Sequence, residues 1–180
     1  MPWLIPLILA GFVASAGAAD RAQPLVRGPV PVELSLVVID LSGVDDTLQQ
    51  YSVNLFIRME WTDRTLALEG ADRRTLNLDE VWNPRLEITN EILVRESLPR
   101  TVDVTADGRV TYYQRLVGSL AQAMDLRDFP FDRQSFSIRF AAVGFRPGDI
   151  EWIVSRETAA MLAGDWSVSN WKLIGWDISD

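Results

Sequence analysis

The sequence predicts an all-β domain, a sandwich of antiparallel strands. Roughly eight to ten runs of strand length are separated by turn residues about every ten positions. Helical periodicity is almost absent. One run also alternates without interruption: Tyr51, Val53, Leu55, Ile57, Met59 and Trp61 fall on one face, and Ser52, Asn54, Phe56, Arg58, Glu60 and Thr62 on the other. That is a strand with one buried face and one wet face.

The elements follow in order. Met1 to Ala19 carries no charge; Leu4 to Val13 is apolar and is followed by Ala14-Ser15-Ala16-Gly17-Ala18-Ala19. This is the layout of a secretory signal cleaved between Ala16 and Ala19, although Lys and Arg are missing near its start. The domain expected to remain runs from Asp20 to Asp180. Arg21 to Pro31, with Pro24, Gly28, Pro29 and Pro31, is an extended lead-in. Val32 to Leu41 is a strand, Ser42 to Thr47 a turn, and Leu48 to Leu66 the alternating strand. Thr75 to Leu86 holds a Trp82-Asn83-Pro84 turn, and Glu87 to Val94 and Thr101 to Val104 are short strands. Thr105-Ala106-Asp107-Gly108 is a hairpin signal leading into the strand Arg109 to Leu120, whose adjacent Tyr112 and Tyr113 must face opposite ways.

Met124 to Phe136 is an aromatic–proline–aromatic loop around Phe129-Pro130-Phe131. Pro130 lacks an N–H and pushes Phe129 into an extended conformation, so the tip is stiff. Two aromatics at a loop tip expose apolar surface that needs a cover. Behind it, Gln134 to Val143 is a strand with Phe136, Ile138 and Phe140 on one face. Arg146 to Asp149 is a turn, Ile150 to Val154 a strand, Arg156 to Gly164 a loop or short helix, and Trp166 to Ile178 carries three tryptophans.

Composition narrows the chemistry. The 180 residues suit one domain. After Asp20 no apolar run approaches the ~18 residues that cross a bilayer. There is no Cys and no His, which excludes a thiol nucleophile, a cysteine zinc site, a disulfide and a Ser-His-Asp triad. The net charge of −8 argues against nucleic acid as a partner. No carboxylate pair has a spacing suited to acid–base work, and Asp45-Asp46 and Asp79-Glu80 sit in turns. No phosphate loop is present, and neither a cofactor nor a metal is expected. A binding module fits better than an enzyme. Phe56, an aromatic on the polar face, is either a scattered surface residue or one that faces a ligand or partner.

Four motifs in the same order and spacing resemble one family. Phe129-Pro130-Phe131-Asp132-x-Gln134, Trp61-Thr62-Asp63, Trp82-x-Pro84 and Asp107-Gly108 followed by Tyr112 are similar to the extracellular domain of pentameric ligand-gated ion channels, the neurotransmitter-receptor or Cys-loop superfamily. The resemblance covers Val32 to Asp180. It implies an immunoglobulin-like antiparallel β-sandwich of about ten strands. It also implies a homopentamer of identical subunits that binds a small molecule between neighbours and couples it to a pore. The chain is then the periplasmic or extracellular part, stopping within its last hairpin before a membrane domain.

Departures point to the bacterial branch. The two cysteines of the superfamily fall on Gln122 and Phe136. Without a disulfide, worth ~3 kcal/mol for such a loop in the chain-entropy model, Phe136 has to anchor the loop by packing. Arg85 stands where the family usually has Asp. The resemblance puts Phe56 on the complementary face of the ligand site. Thr89 and Val143 take two principal-face aromatic positions, with Phe145 close by and Tyr112 also at the site. Because Thr89 and Val143 are not aromatic, a cation–π cage for a quaternary ammonium is weakened. The coupling surface falls on Asp45, Asp46, Thr47, Phe129, Pro130, Phe131 and Asp132, with Asp132 placed to pair an Arg near the membrane. Two alternatives stay open: a free-standing secreted small-molecule-binding protein of the same fold, and a β-sandwich hydrolase with carboxylates converging in a cleft.

Overall fold

The computed structural model describes residues 23–70, 72–125, 127 and 134–154. The expected signal peptide, the Phe129–Asp132 tip and everything expected after Val154 lie outside the described residues. Nine strands form among the described residues: β1 (Val30–Asp45), β2 (Gln50–Thr62), β3 (Arg74–Asn77), β4 (Leu86–Ile88), β5 (Glu91–Glu96), β6 (Thr101–Val104), β7 (Arg109–Ala121), β8 (Phe140–Ala142) and β9 (Ile150–Val154). Two single 3₁₀ turns, Arg64–Leu66 and Leu78–Glu80, are the only helical pieces among the described residues.

A seven-stranded sheet has the order β3-β6-β7-β2-β1-β9, with β5 also paired to β7; β4 and β8 make a second, two-stranded sheet. Every pairing is antiparallel except β1 with β9, which is parallel. That departs from the purely antiparallel expectation. The Val30 amide donates to the Asp149 carbonyl at 2.9 Å, so the turn before β9 is pinned beside the start of β1 and both strands leave in the same direction.

β2 is the spine of the fold. Tyr51, Val53, Leu55, Ile57, Met59 and Trp61 are all buried, as their period demands. They feed two cores. Met59 and Trp61 join Val30, Val32, Trp82, Val102, Val110 and Tyr112; Tyr51, Val53, Leu55 and Ile57 join Ile88 and Leu120. Each such side chain, fully buried, contributes ~1.5–3 kcal/mol. The small sheet closes the second layer, with Leu86 packed against both cores and Phe140 against the second.

Several boundaries move, each for a local reason. β1 runs through Ser42–Asp45, and the turn is 46–49, because a bulge between Ser42 and Asp45 absorbs Gly43 inside the strand. β2 stops at Thr62 because Asp63 caps the 3₁₀ turn, accepting from the Thr65 amide at 3.0 Å and its hydroxyl at 2.6 Å. The single strand expected over Glu87–Val94 is two, divided by the turn at Thr89-Asn90 where the chain crosses from the small sheet to the large one. Of the strand expected over Gln134–Val143, only Phe140–Ala142 forms a ladder. Phe136, Ile138 and Phe140 nevertheless pack on the second core.

The arms of the 122–136 loop are held by side chains. Gln122 Oε1 accepts from the Ser137 amide at 3.0 Å. Gln134 Oε1 accepts from the Asp125 amide at 3.2 Å, and Gln134 Nε2 donates to the Asp125 carbonyl at 2.6 Å. Phe136 lies 5.0 Å from Tyr51, ring to ring. Gln122 and Phe136, the positions on which the resemblance puts the two cysteines, therefore serve as a hydrogen-bonding residue and a packing residue.

Tyr51 adds a bond of its own, its hydroxyl donating to the Ser137 carbonyl at 2.8 Å. Burial pushes its phenol well above the usual 10.0. The native state therefore keeps this proton after the unfolded chain has lost it, and the stabilisation is full below about pH 10 and declines as pH rises above it. We expect a flat stability profile from neutral pH to about 9 and a falling one beyond 10. In pH-dependent urea unfolding, Tyr51→Phe should flatten the alkaline slope. Part of it should remain, because burial also raises Tyr112.

Candidate functional site

The outer face of the large sheet is set by strand parity. In the β2–β7 register Phe56 is opposite Arg115, Arg58 opposite Tyr113, and Met59 opposite Tyr112. Tyr112 thus shares the core face with Met59 and is 3% exposed, its hydroxyl accepting from Gln114 Nε2 at 3.1 Å. This corrects its expected place among the ligand-facing residues: a side chain in the core cannot meet a ligand at the surface. Tyr113 takes the outward position, 36% exposed.

On that face the Phe56 and Tyr113 rings lie 5.9 Å apart and tilted by 32°. Arg58 forms an ion pair with Glu60, Thr111 Oγ1 donates to Glu60 Oε1 at 3.0 Å, and Arg115 Nε donates to Asn54 Oδ1 at 2.9 Å. These contacts leave the face half-buried, where alternation alone predicts a fully wet one. Burial by itself would raise the Glu60 carboxyl; the hydrogen bonds from Arg58 and Thr111 outweigh it and hold the group below its ordinary value. Arg58 Nε is buried without a partner among the described residues. The surface combines a tilted aromatic pair with a guanidinium already paired to Glu60.

The other expected residues are spread along the small sheet. The Val143 amide donates to the Arg85 carbonyl at 3.0 Å, and the Thr89 amide to the Arg139 carbonyl at 2.8 Å. Val143 and Thr89 therefore sit at opposite ends of the β4–β8 ladder, about 13 Å apart at strand spacing. Val143 is exposed, and Phe145 turns onto Trp82 at 5.6 Å. Arg85 adopts φ 45° beside Pro84, with its amide held by Asn83 Oδ1 at 3.1 Å and its guanidinium next to Gly144. Among the described residues no cluster of carboxylates is fit to hold a metal ion.

A third group lies at the end of the large sheet where Gln50 faces Ala121. Asp45 Oδ1 accepts from the Leu48 amide at 2.8 Å and shapes the turn, leaving Asp46 and Thr47 exposed. Phe56 is about 20 Å away along the same strand.

The sequence matches the model of the neurotransmitter-gated ion-channel ligand binding domain over residues 19–179. The chain belongs to this family. It is 28% identical over 119 residues to a proton-gated ion channel of Gloeobacter violaceus, covering 64% of this chain and 33% of that one. The chain thus spans about a third of the length of that curated relative. Its fold is similar to a crystal structure of AChBP from Bulinus truncatus, with a TM-score of 0.66 and 20% identity over 78% of this chain and 74% of the other.

A ligand-binding domain of this family is a binding module and not an enzyme. Three of its surface residues escaped sequence reasoning. Tyr113 was recoverable: once Val110 is assigned to the core, Tyr112 follows it inward and Tyr113 outward. Leu48, 63% exposed at the first hairpin turn, had a weaker signal as an apolar residue directly after Asp45-Asp46-Thr47. Gln49 had none, since the bonds that tie it to Met124 and Gln122 join residues distant in sequence.

Proposed function

We propose that this chain is the ligand-binding domain of a bacterial homopentameric channel, exposed on the periplasmic or extracellular side after signal-peptide removal. A small ligand binds between adjacent copies. The β2–β7 face of one copy supplies Phe56, Tyr113 and Arg58, and the turn carrying Val143 supplies the neighbour's side, with Arg85 close behind it. The observation that carries this reading is the outward Phe56–Tyr113 pair, two tilted rings in contact on an otherwise polar sheet face.

Binding there shifts a closed–open equilibrium by differential affinity. The change passes along β2 to Asp45, Asp46 and Thr47. Phe129, Pro130, Phe131 and Asp132 enter this reading through the family resemblance, as an apolar tip covered by a membrane domain. With no histidine, a response to protons would rest on carboxylates. The proton-gated relative makes an acid step the first stimulus to try.

The full-length protein expressed in oocytes tests this. Currents evoked by acid steps and by a panel of amines and amino acids identify the stimulus. Phe56→Ala should weaken the response to an organic ligand by roughly tenfold or more, as ~1.4 kcal/mol of lost aromatic contact implies. The thermal midpoint of the secreted chain should be little changed. Loss of folding would place Phe56 in the core, and an unchanged dose–response curve would remove it from the site.

A further inference from the structure

The turn between β1 and β2 contains one residue in an unfavourable conformation. Gln49 has φ 53°, in the left-handed region that glycine or asparagine occupies at least cost. A backbone outlier of this kind points to a constraint imposed from outside the turn. That constraint is visible in the bonds. Gln49 Oε1 accepts from the Met124 amide at 2.6 Å, and the Gln49 carbonyl accepts from the Gln122 amide at 2.8 Å. Gln49 Nε2 turns back to the Asp46 carbonyl within its own turn. One residue thus binds the first hairpin turn to the entering arm of the 122–136 loop twice. That arm is in turn tied to the leaving arm through Gln122–Ser137 and Asp125–Gln134.

Resting on the channel reading above, we propose that Gln49 is a positioning residue that locks the β1–β2 turn and the arm 122–125 into a single moving part. The two segments belong to different hairpins and are far apart in sequence. Beyond the last β2–β7 pair, Gln50 with Ala121, the clasp is what carries the tie on into the turn and the arm. With it, a displacement carried down β2 through Gln50 moves both together. A left-handed Gln stands where Gly would be less strained, and its side chain carries the acceptor that reaches Met124.

Two variants of equal length separate the parts of the claim. Gln49→Met keeps the shape and removes the acceptor; Gln49→Glu keeps the acceptor. By hydrogen exchange on the secreted chain, Gln49→Met should speed exchange at Met124 by roughly five- to tenfold, the range of one lost hydrogen bond. Exchange should rise with it across both 46–49 and 122–125. In the full-length protein under an acid step, Gln49→Met should cut the maximal current about fivefold with little shift in the half-activating pH. Gln49→Glu should restore protection at Met124 and the maximal current to within about twofold of the parent.

Unchanged exchange at Met124 in Gln49→Met overturns the clasp. Faster exchange confined to Met124 overturns the single moving part, since the segments then loosen independently. Faster exchange in both segments with full current overturns the coupling role, as does a Gln49→Glu protein that behaves like Gln49→Met. A parent protein that passes no current to any stimulus defeats the channel reading instead. The clasp is then decided by exchange alone, joint loosening supporting it and isolated loosening overturning it.

Discussion

Gly108→Ala is expected to lower the thermal midpoint of the domain by roughly 6–16 °C, from a loss of ~3–4 kcal/mol at about 2–4 °C per kcal/mol. A Cβ on Gly108 would lie 2.4 Å from the carbonyl oxygen of Asp63 and 3.1 Å from its carbonyl carbon. Both obstacles are backbone, and that backbone is fixed. The Asp63 amide donates to the Gly108 carbonyl at 2.8 Å, and the Asp63 side chain, 4% exposed, is engaged by Thr65. Gly108 also has φ +83°. The left-handed conformation alone costs alanine ~1–2 kcal/mol, and the clash adds to it. Gly148→Ala is the control, because it has φ +91° and nothing within 4 Å of the added atom. It should show only the conformational part. Thermal melts followed by circular dichroism compare the two; equal midpoints would mean that the Asp63 backbone yields without penalty.

Phe136→Ala is expected to cost ~2–3 kcal/mol, less than the 3–5 typical of a fully buried phenylalanine because this one is half-buried. Its ring packs on Tyr51 and the second core, and it stands directly before Ser137, whose amide and carbonyl bond to Gln122 and Tyr51. Losing the ring should therefore release the arm as well as leave a gap. Urea unfolding would show the lower stability, and the Ser137 amide should exchange faster than amides in β2. A variant with full stability would mean that the hydrogen bonds hold the arm unaided.

These two sites explain which parts of the fold were legible. The alternation of β2 gave away its buried face because a strand has a period of two and one side must leave water. The Trp61-Thr62-Asp63 and Asp107-Gly108 motifs stood out locally, and their meeting in space shows why both are needed: one supplies the carbonyl that the other's missing side chain lets approach. The parallel β1–β9 pair was not legible, since it depends on a bond between Val30 and Asp149 that no local pattern encodes. Nor was the separation of Thr89 from Val143, which depends on the register of a three-residue ladder. Tyr112 was misplaced for a different reason. Its motif was correct, but parity along β7 decides which of two adjacent tyrosines faces out.

The arms closed by Gln122, Gln134 and Phe136 carry a consequence for how and where this protein can be made. Closure needs no oxidant and no thiol-exchange catalyst, and it offers no cysteine to mispair with another chain. What holds the arms is packing and hydrogen bonding, with Phe136 on Tyr51 and Gln122 on Ser137. Reducing agents should leave the arms untouched, whereas loss of the second core, on which Phe136 packs, should loosen them.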